Sequence, residues 1–117
     1  MINVERLFIQ YLNGKIEEPV SGDVPSSRPD RFVTVELSGG SQGMFKQNPL
    51  LIVQSWAESK EAASDLELKV RRAMFDAPDE LNEVFSVGDP STTNFPDLAG
   101  NTIRPRYQTV YYPVICG

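Results

Sequence analysis

No histidine occurs anywhere in the chain, and its one cysteine is Cys116. Neither a Ser-His-Asp nor a Cys-His constellation can be assembled, and neither can a His-ligated zinc site. A lone thiol forms no intramolecular disulfide and no Cys-Cys metal site, and it fits a reducing compartment. Carboxylates remain. Asp76, Asp79, Glu80 and Glu83 fall close together, and Asp89 and Asp97 follow. Glycosidase-type chemistry needs two carboxylates across a cleft, and a hard-cation site needs oxygens at close spacing. Neither Asp-x-Asp nor an EF-hand loop appears, so these carboxylates read as surface charge, as do Glu61, Asp65, Glu67 and Lys69. A carboxylate-dependent hydrolase is the one enzyme reading left open. The expectation is no enzyme, with no cofactor and no metal.

Two other groups of residues suit contact better than catalysis. Ser38-Gly39-Gly40-Ser41-Gln42-Gly43 is glycine-rich. A phosphate cradle needs a loop running into a helix N-terminus, with Gly-Lys-Ser/Thr or Gly-x-Gly-x-x-Gly. Here the loop leads into a strand and neither pattern is present. A projecting hairpin loop is the reading, with Met44, Phe45 and Lys46 at its tip. Such a loop either orders on a partner or folds back on its own core. Arg28, Arg31, Arg104 and Arg106 each flank a strand start beside Pro29 or Pro105. If those strands are neighbours, the arginines gather on one rim, as solvated ion pairs or as an interface. The interface reading expects Arg31→Glu and Arg106→Glu to leave the fold intact.

The elements that must hold these residues follow from periodicity. Val4, Leu7, Phe8, Tyr11 and Leu12 make one helical stripe over residues 2–13, stopped by Asn13-Gly14. Prolines 19, 25 and 29 forbid a helix next, and Glu18–Asp23 fits a short edge strand. Arg31–Ser38 alternates Val33, Val35 and Leu37 against Thr34, Glu36 and Ser38, a strand with one wet face. Gly39–Asn48 is the loop, and Leu50–Ala57 is its partner strand. Glu58–Asp76 is the main helix, capped by Ser59, with Arg71 and Arg72 near its end and Pro78 just past it. Val84–Gly88 is a short strand. Asp89–Arg104 shows little periodicity. Arg106–Ile115 is the last strand, weakened by Pro113. The order predicts a single α+β domain over residues 1–117: a mostly antiparallel sheet, one long and one N-terminal helix on one face, and a projecting hairpin loop.

The whole composition bounds the job. The 117 residues carry −5, with 40% hydrophobic and 23% charged residues, so one ordinary globular domain is expected. Acidity disfavours broad contact with phosphate backbones or anionic membranes. The longest apolar run, Leu50–Val53, is far too short to span a bilayer. Asn3, Glu5, Arg6 and Gln10 interrupt the first fifteen residues, so no signal peptide is expected and the domain reads as soluble and intracellular.

The order Arg28-Pro29-Asp30-Arg31-Phe32-Val33, Gly39-Gly40, Trp56-Ala57, a helix with Ala62, Ala63 and Leu66, then Pro96-Asp97, Gly100 and Pro105-Arg106-Tyr107-Gln108 is informative. It resembles the tail terminator proteins of long-tailed, siphovirus-type bacteriophages, from about residue 28 onward. The resemblance implies a sheet flanked by helices on one side and an assembly role. Similar proteins form a homohexameric ring on the head-proximal end of the tail tube, stop its polymerisation and offer a docking surface to the head connector. The implied partners are further copies of the chain, the tail tube protein and the head-tail connector or neck protein. DNA passes through the ring without sequence-specific binding, and no membrane is involved. The implied location is the virion tail, reached from the host cytoplasm during assembly. Implied contact residues are Arg28, Arg31, Gly39, Gly40, Gly43, Met44, Phe45, Lys46, Arg104 and Arg106. Glu67-Leu68-Lys69, in place of an alanine-rich stretch, and Pro113 depart from the pattern. A head-tail neck or completion protein of the same virion, and a small-ligand-binding α+β regulatory domain, stay open as alternatives.

Overall fold

The computed structural model describes residues 2–44, 46–98 and 103–116; Phe45 and Gly100 lie outside the described residues. The chain is α+β, two helices over an open, mostly antiparallel sheet. Helix α1 (Val4–Asn13) starts where the Asn3 side chain accepts the Arg6 N–H at 3.0 Å. Its Val4, Phe8 and Leu12 are buried. Strand β1 (Val20–Ser21) pairs in parallel with β2 (Phe32–Gln42), which pairs antiparallel with β3 (Lys46–Trp56). Helix α2 (Lys60–Glu80) follows, then β4 (Val84–Ser86), β5 (Ser91–Asn94), β6 (Arg106–Tyr111) and β7 (Val114–Cys116). The sheet order is β1-β2-β3-β6-β5, while β7 pairs both β3 and β4.

Four expectations change. Gly39–Asn48 is not a ten-residue loop: β2 and β3 stay paired through Gln42 and Gln47, across an irregularity between Leu37 and Gly40. Gly40 makes that irregularity, with φ +89° and a position where a Cβ would collide with the Asn48 backbone and lie 2.7 Å from Leu50 N. Helix α2 runs through Pro78 and ends at Glu80, so Arg71 and Arg72 are mid-helix; the last turn carries no basic residue. Asp89–Arg104 contains a strand, β5, whose Ser-Thr-Thr-Asn sequence is exposed throughout and has no apolar face to betray it. The expected final strand is two, because Tyr112-Pro113 breaks it: β6 pairs the last six residues of β3, and β7 pairs Lys46 and Gln47.

The ladders define two faces. Val33, Val35, Leu51, Val53 and Tyr111 point to the helices and pack with Phe8 and Leu12 of α1 and Leu66, Val70, Met74 and Ala77 of α2. Phe32, Thr34 and Glu36, with Ile52, Gln54 and Trp56, and Arg106, Gln108 and Val110, share the other face, by register and alternation. The molecule measures 45 × 25 × 23 Å. An eleven-residue strand is about 36 Å long, so the β2–β3 hairpin sets most of the long dimension.

Candidate assembly interface

The arginines gather because β3 brings two strand starts to one place. β2 and β6 both run antiparallel to β3, so Phe32 and Arg106 each pair with Trp56. Side chains at those three positions point away from the helices. Phe32 stacks on Trp56 with ring centroids 5.2 Å apart and planes 15° apart. The Arg106 guanidinium lies 4.7 Å from the Trp56 ring and 4.8 Å from the Phe95 ring. Arg28, on the loop before β2, covers the same indole at 5.5 Å. Guanidinium planes stack well on aromatic faces, and indole is the best of them.

Hydrogen bonds lock part of this row. Arg106 Nε donates to the Phe95 carbonyl at 2.7 Å, and the Trp56 indole N–H donates to Thr34 Oγ1 at 3.3 Å. Next along the face, Gln54 Nε2 donates to Gln108 Oε1 at 3.0 Å. Burial pulls the Arg106 pKa down, with Asp97 opposing, although arginine stays charged at neutral pH. Arg28 Nη1 stands 4.0 Å from Asp97 Oδ2. A backbone bridge between Asp97 and Arg104 extends the β5–β6 hairpin, so Arg104 falls on the same face as Arg106.

Arg31 goes elsewhere. Its Nε and Nη2 grip Glu58 at 3.0 and 2.6 Å, out in solvent. Three of the four arginines thus share the rim, while Arg31 closes an ion pair beside it. Arg106 is part of the packing, with its stem and planar head between two rings, so Arg106→Glu would damage the rim's structure as well as its charge. The aromatic members, Phe32, Trp56 and Phe95, had no separate signal in the sequence. Their meeting depends on the β3–β6 register, which sequence periodicity does not encode.

The hairpin end lies at the far end of the same strands. Gly39, Gly40, Gly43, Met44 and Lys46 are exposed there. The Gly43 N–H donates to the Lys46 carbonyl at 3.0 Å and narrows the turn. One flank, Lys46 and Gln47, is paired with β7. The other flank, Ser38–Gln42, has no strand beside it among the described residues.

Glu67 is the largest misreading of a single residue. Instead of a solvated position it occupies the α2–sheet interface, 4% exposed. Arg71 Nε and Nη2 donate to its two oxygens at 2.8 and 2.6 Å. Thr92 and Thr109 hydroxyls donate to Oε1 at 3.1 and 3.0 Å. Burial, with the Glu67 charge adding to it, pushes the Tyr111 phenol pKa up, and its hydroxyl is buried with no hydrogen-bond partner. The cluster ties edge strand β5 to the helix. The polar groups converge on one carboxylate that is fully engaged, so this is a structural clasp.

Among the described residues, no group of three or more His, Cys, Asp or Glu side chains could hold a metal ion. No helix there is long and apolar enough to cross a membrane. A shallow cavity of about 200 Å³ sits on the open face between Gly22–Val24 and Thr34, Glu36, Ile52 and Gln54. No protein-family model and no curated protein matches the chain.

Proposed function

We propose that the chain is a phage tail-assembly protein: a hexameric ring that caps the head-proximal end of the tail tube, ends its growth and receives the head connector. The supporting observation is the placement of two unlike contact zones at opposite ends of one strand pair. The Arg28/Trp56/Arg106 rim occupies one end, and the exposed turn around Met44 the other. A cap must hold its neighbours laterally and grip the tube axially, and zones so far apart serve both without competing. Closed head-to-tail rings use heterologous contacts of this unlike kind. Six copies at −5 carry roughly −30, a field that lets duplex DNA slide through a lumen rather than adhere to it.

The test is mass in solution over a wide concentration range, with negative-stain images of the same sample and of purified tail tubes mixed with it. Six-fold rings, free or seated on one tube end, are expected, with a central opening wide enough for duplex DNA. A compact dimer with no opening, and bare tube ends, would overturn the reading.

A further inference from the structure

We infer that the helix-free face of the sheet docks on the same face of a second copy, about a two-fold axis close to Gln54. Both helices pack on the opposite face, so strands β1, β2, β3, β6 and β5 show one side without a helix layer. That side is unevenly charged. At the rim, Arg28, Arg104 and Arg106 stand with one carboxylate, Asp97. Diagonally across the face, Asp23 and Glu36 border the cavity of about 200 Å³, and no lysine or arginine lines it. Asp23, Glu36 and Arg104 are exposed, and none of the three closes a salt bridge among the described residues. One corner thus carries a surplus of positive charge and the opposite corner an unanswered negative one.

The register sets these corners symmetrically about the middle of the face. Arg106 pairs with Trp56 and Glu36 with Ile52, so they lie two strands apart and four residues apart along the strands. That is about 10 Å across and about 13 Å along, or about 16 Å corner to corner. Gln54 of β3, hydrogen-bonded to Gln108, falls at the midpoint. A second copy given half a turn about an axis lying between the two faces at Gln54 brings its Arg106 over this copy's Glu36. Arg104 lies two residues before Arg106, and Asp23 lies two residues past the Ser21–Thr34 pair, one strand beyond Glu36. The same half-turn therefore sets Arg104 over Asp23, and each contact occurs twice. Gln54, Gln108, Ile52 and Val110 lie between the corners, so no like charges meet at the axis.

Two unlike patches on either side of the centre of one face make a self-complementary surface, which closes as an isologous pair. Opposite charges facing across it raise the rate of encounter and fix its register. Five strands span about 19 Å, and the distance along them from Arg104 to Glu36 is about 20 Å, an area at the low end for specific contacts. The pair is therefore a reversible one. It goes beyond the ring reading and covers the rim that the ring would use, so pairing and ring closure compete for the same arginines.

The experiment uses two surface variants of the full chain, Arg104→Glu and Asp23→Arg, in sedimentation velocity over a wide concentration range without tail tubes. The unsubstituted chain is expected to form a two-chain species as concentration rises. Each variant brings like charges together twice and is expected to lose that species. Mixed one to one, the variants are expected to recover it, because both crossed contacts then join an arginine to a carboxylate. The double variant is expected to recover it alone. Circular dichroism and a melting curve check each fold, and Arg28→Glu with Glu36→Arg is the second pair. Single variants that still pair, or a mixture and a double variant that both stay monomeric, would overturn this contact and leave the ring reading standing. An unsubstituted chain that stays monomeric, or passes straight to six-fold rings, would overturn it too. The same two-chain species beside bare tube ends would overturn the ring reading and leave this contact in place.

Discussion

The two ends of the β2–β3 hairpin are built from the same two strands and held by different physics. At the root, Phe32, Trp56 and Val33 are nearly inaccessible, covered by rings, guanidiniums and the helix layer. At the far end Ser38, Gly39, Gly40 and Ser41 are exposed, and order comes from backbone hydrogen bonds and one flank of β7. Side-chain burial supplies most folding free energy, so the root carries the fold. Segments poor in buried apolar contacts open first, and contact surfaces are drawn from them. The rim shows the root's physics at the surface: Phe32 and Trp56 stack there beneath the guanidiniums of Arg28 and Arg106.

The strongest way to break the root is Trp56→Ala. It removes a buried ring together with the platform for Phe32, Arg28 and Arg106. Large-to-small changes of this kind cost about 3–5 kcal/mol. Chemical denaturation should show that loss; a change below about 1 kcal/mol would mean the indole is not the keystone of this end.

Glu67→Ala tests the helix-covered side of the same body. It strands Arg71, Thr92 and Thr109 at once. Breaking a fully buried pair costs about 3–5 kcal/mol, and the partial exposure of Arg71 reduces this to about 2–3 kcal/mol. Replacing both Glu67 and Arg71 by leucine should recover part of the loss, since no uncompensated charge remains. A double variant less stable than Glu67→Ala would contradict the clasp.

The folding pattern was legible where burial is one-sided. Val33, Val35 and Leu37 alternate, and Ala63, Leu66, Val70 and Ala73 follow a helix, so those elements and the fold class could be read directly. Strand β5 was not legible because Ser91–Asn94 is polar on both sides. The rim arginines were legible as strand-flanking residues, but their platform depended on register. Glu67 misled by its charge, which suggested solvent, although it stands four residues after Ala63 and three before Val70, in register with the buried set. Four donors from Arg71, Thr92 and Thr109, all distant in sequence except Arg71, make its burial tolerable.

Gly40→Ala probes the far end. Its φ of +89° and the Asn48 backbone leave no room for a Cβ. Strain of this type costs about 1–3 kcal/mol. The contrast between the two ends predicts that the hairpin end opens without the root, which would cap the cost at that local opening. Amide exchange over residues 38–48 should accelerate while the global melting temperature moves little. Equal acceleration at Val53 and Tyr111 would show that the two ends unfold as one unit and would dissolve the contrast between them.

The smallest effects belong to the exposed ion pairs that edge the body. Arg31 grips Glu58 at 2.6 Å, and Lys15 joins α1 to α2 through Glu80 at 2.6 Å, with the Tyr11 hydroxyl donating to Glu80 as well. The Arg31 hydrogen bonds hold the Glu58 pKa below its ordinary 4.5, and Lys15 followed by Tyr11 does the same for Glu80. A carboxyl lowered on folding stabilises the fold at pH values above its unfolded pKa. That contribution fades as pH falls through the folded value, so the sensitive window is the acid side of pH 4.5. Glu58→Gln and Glu80→Gln should therefore lower the melting temperature slightly at pH 7, and the gap from the unsubstituted chain should vanish by about pH 2. About 1 M salt at pH 7, where charges are screened within about 3 Å, should shrink the same gap. A gap that persists in acid and in salt would assign these carboxylates a packing role, and the body would then owe part of its stability to its surface.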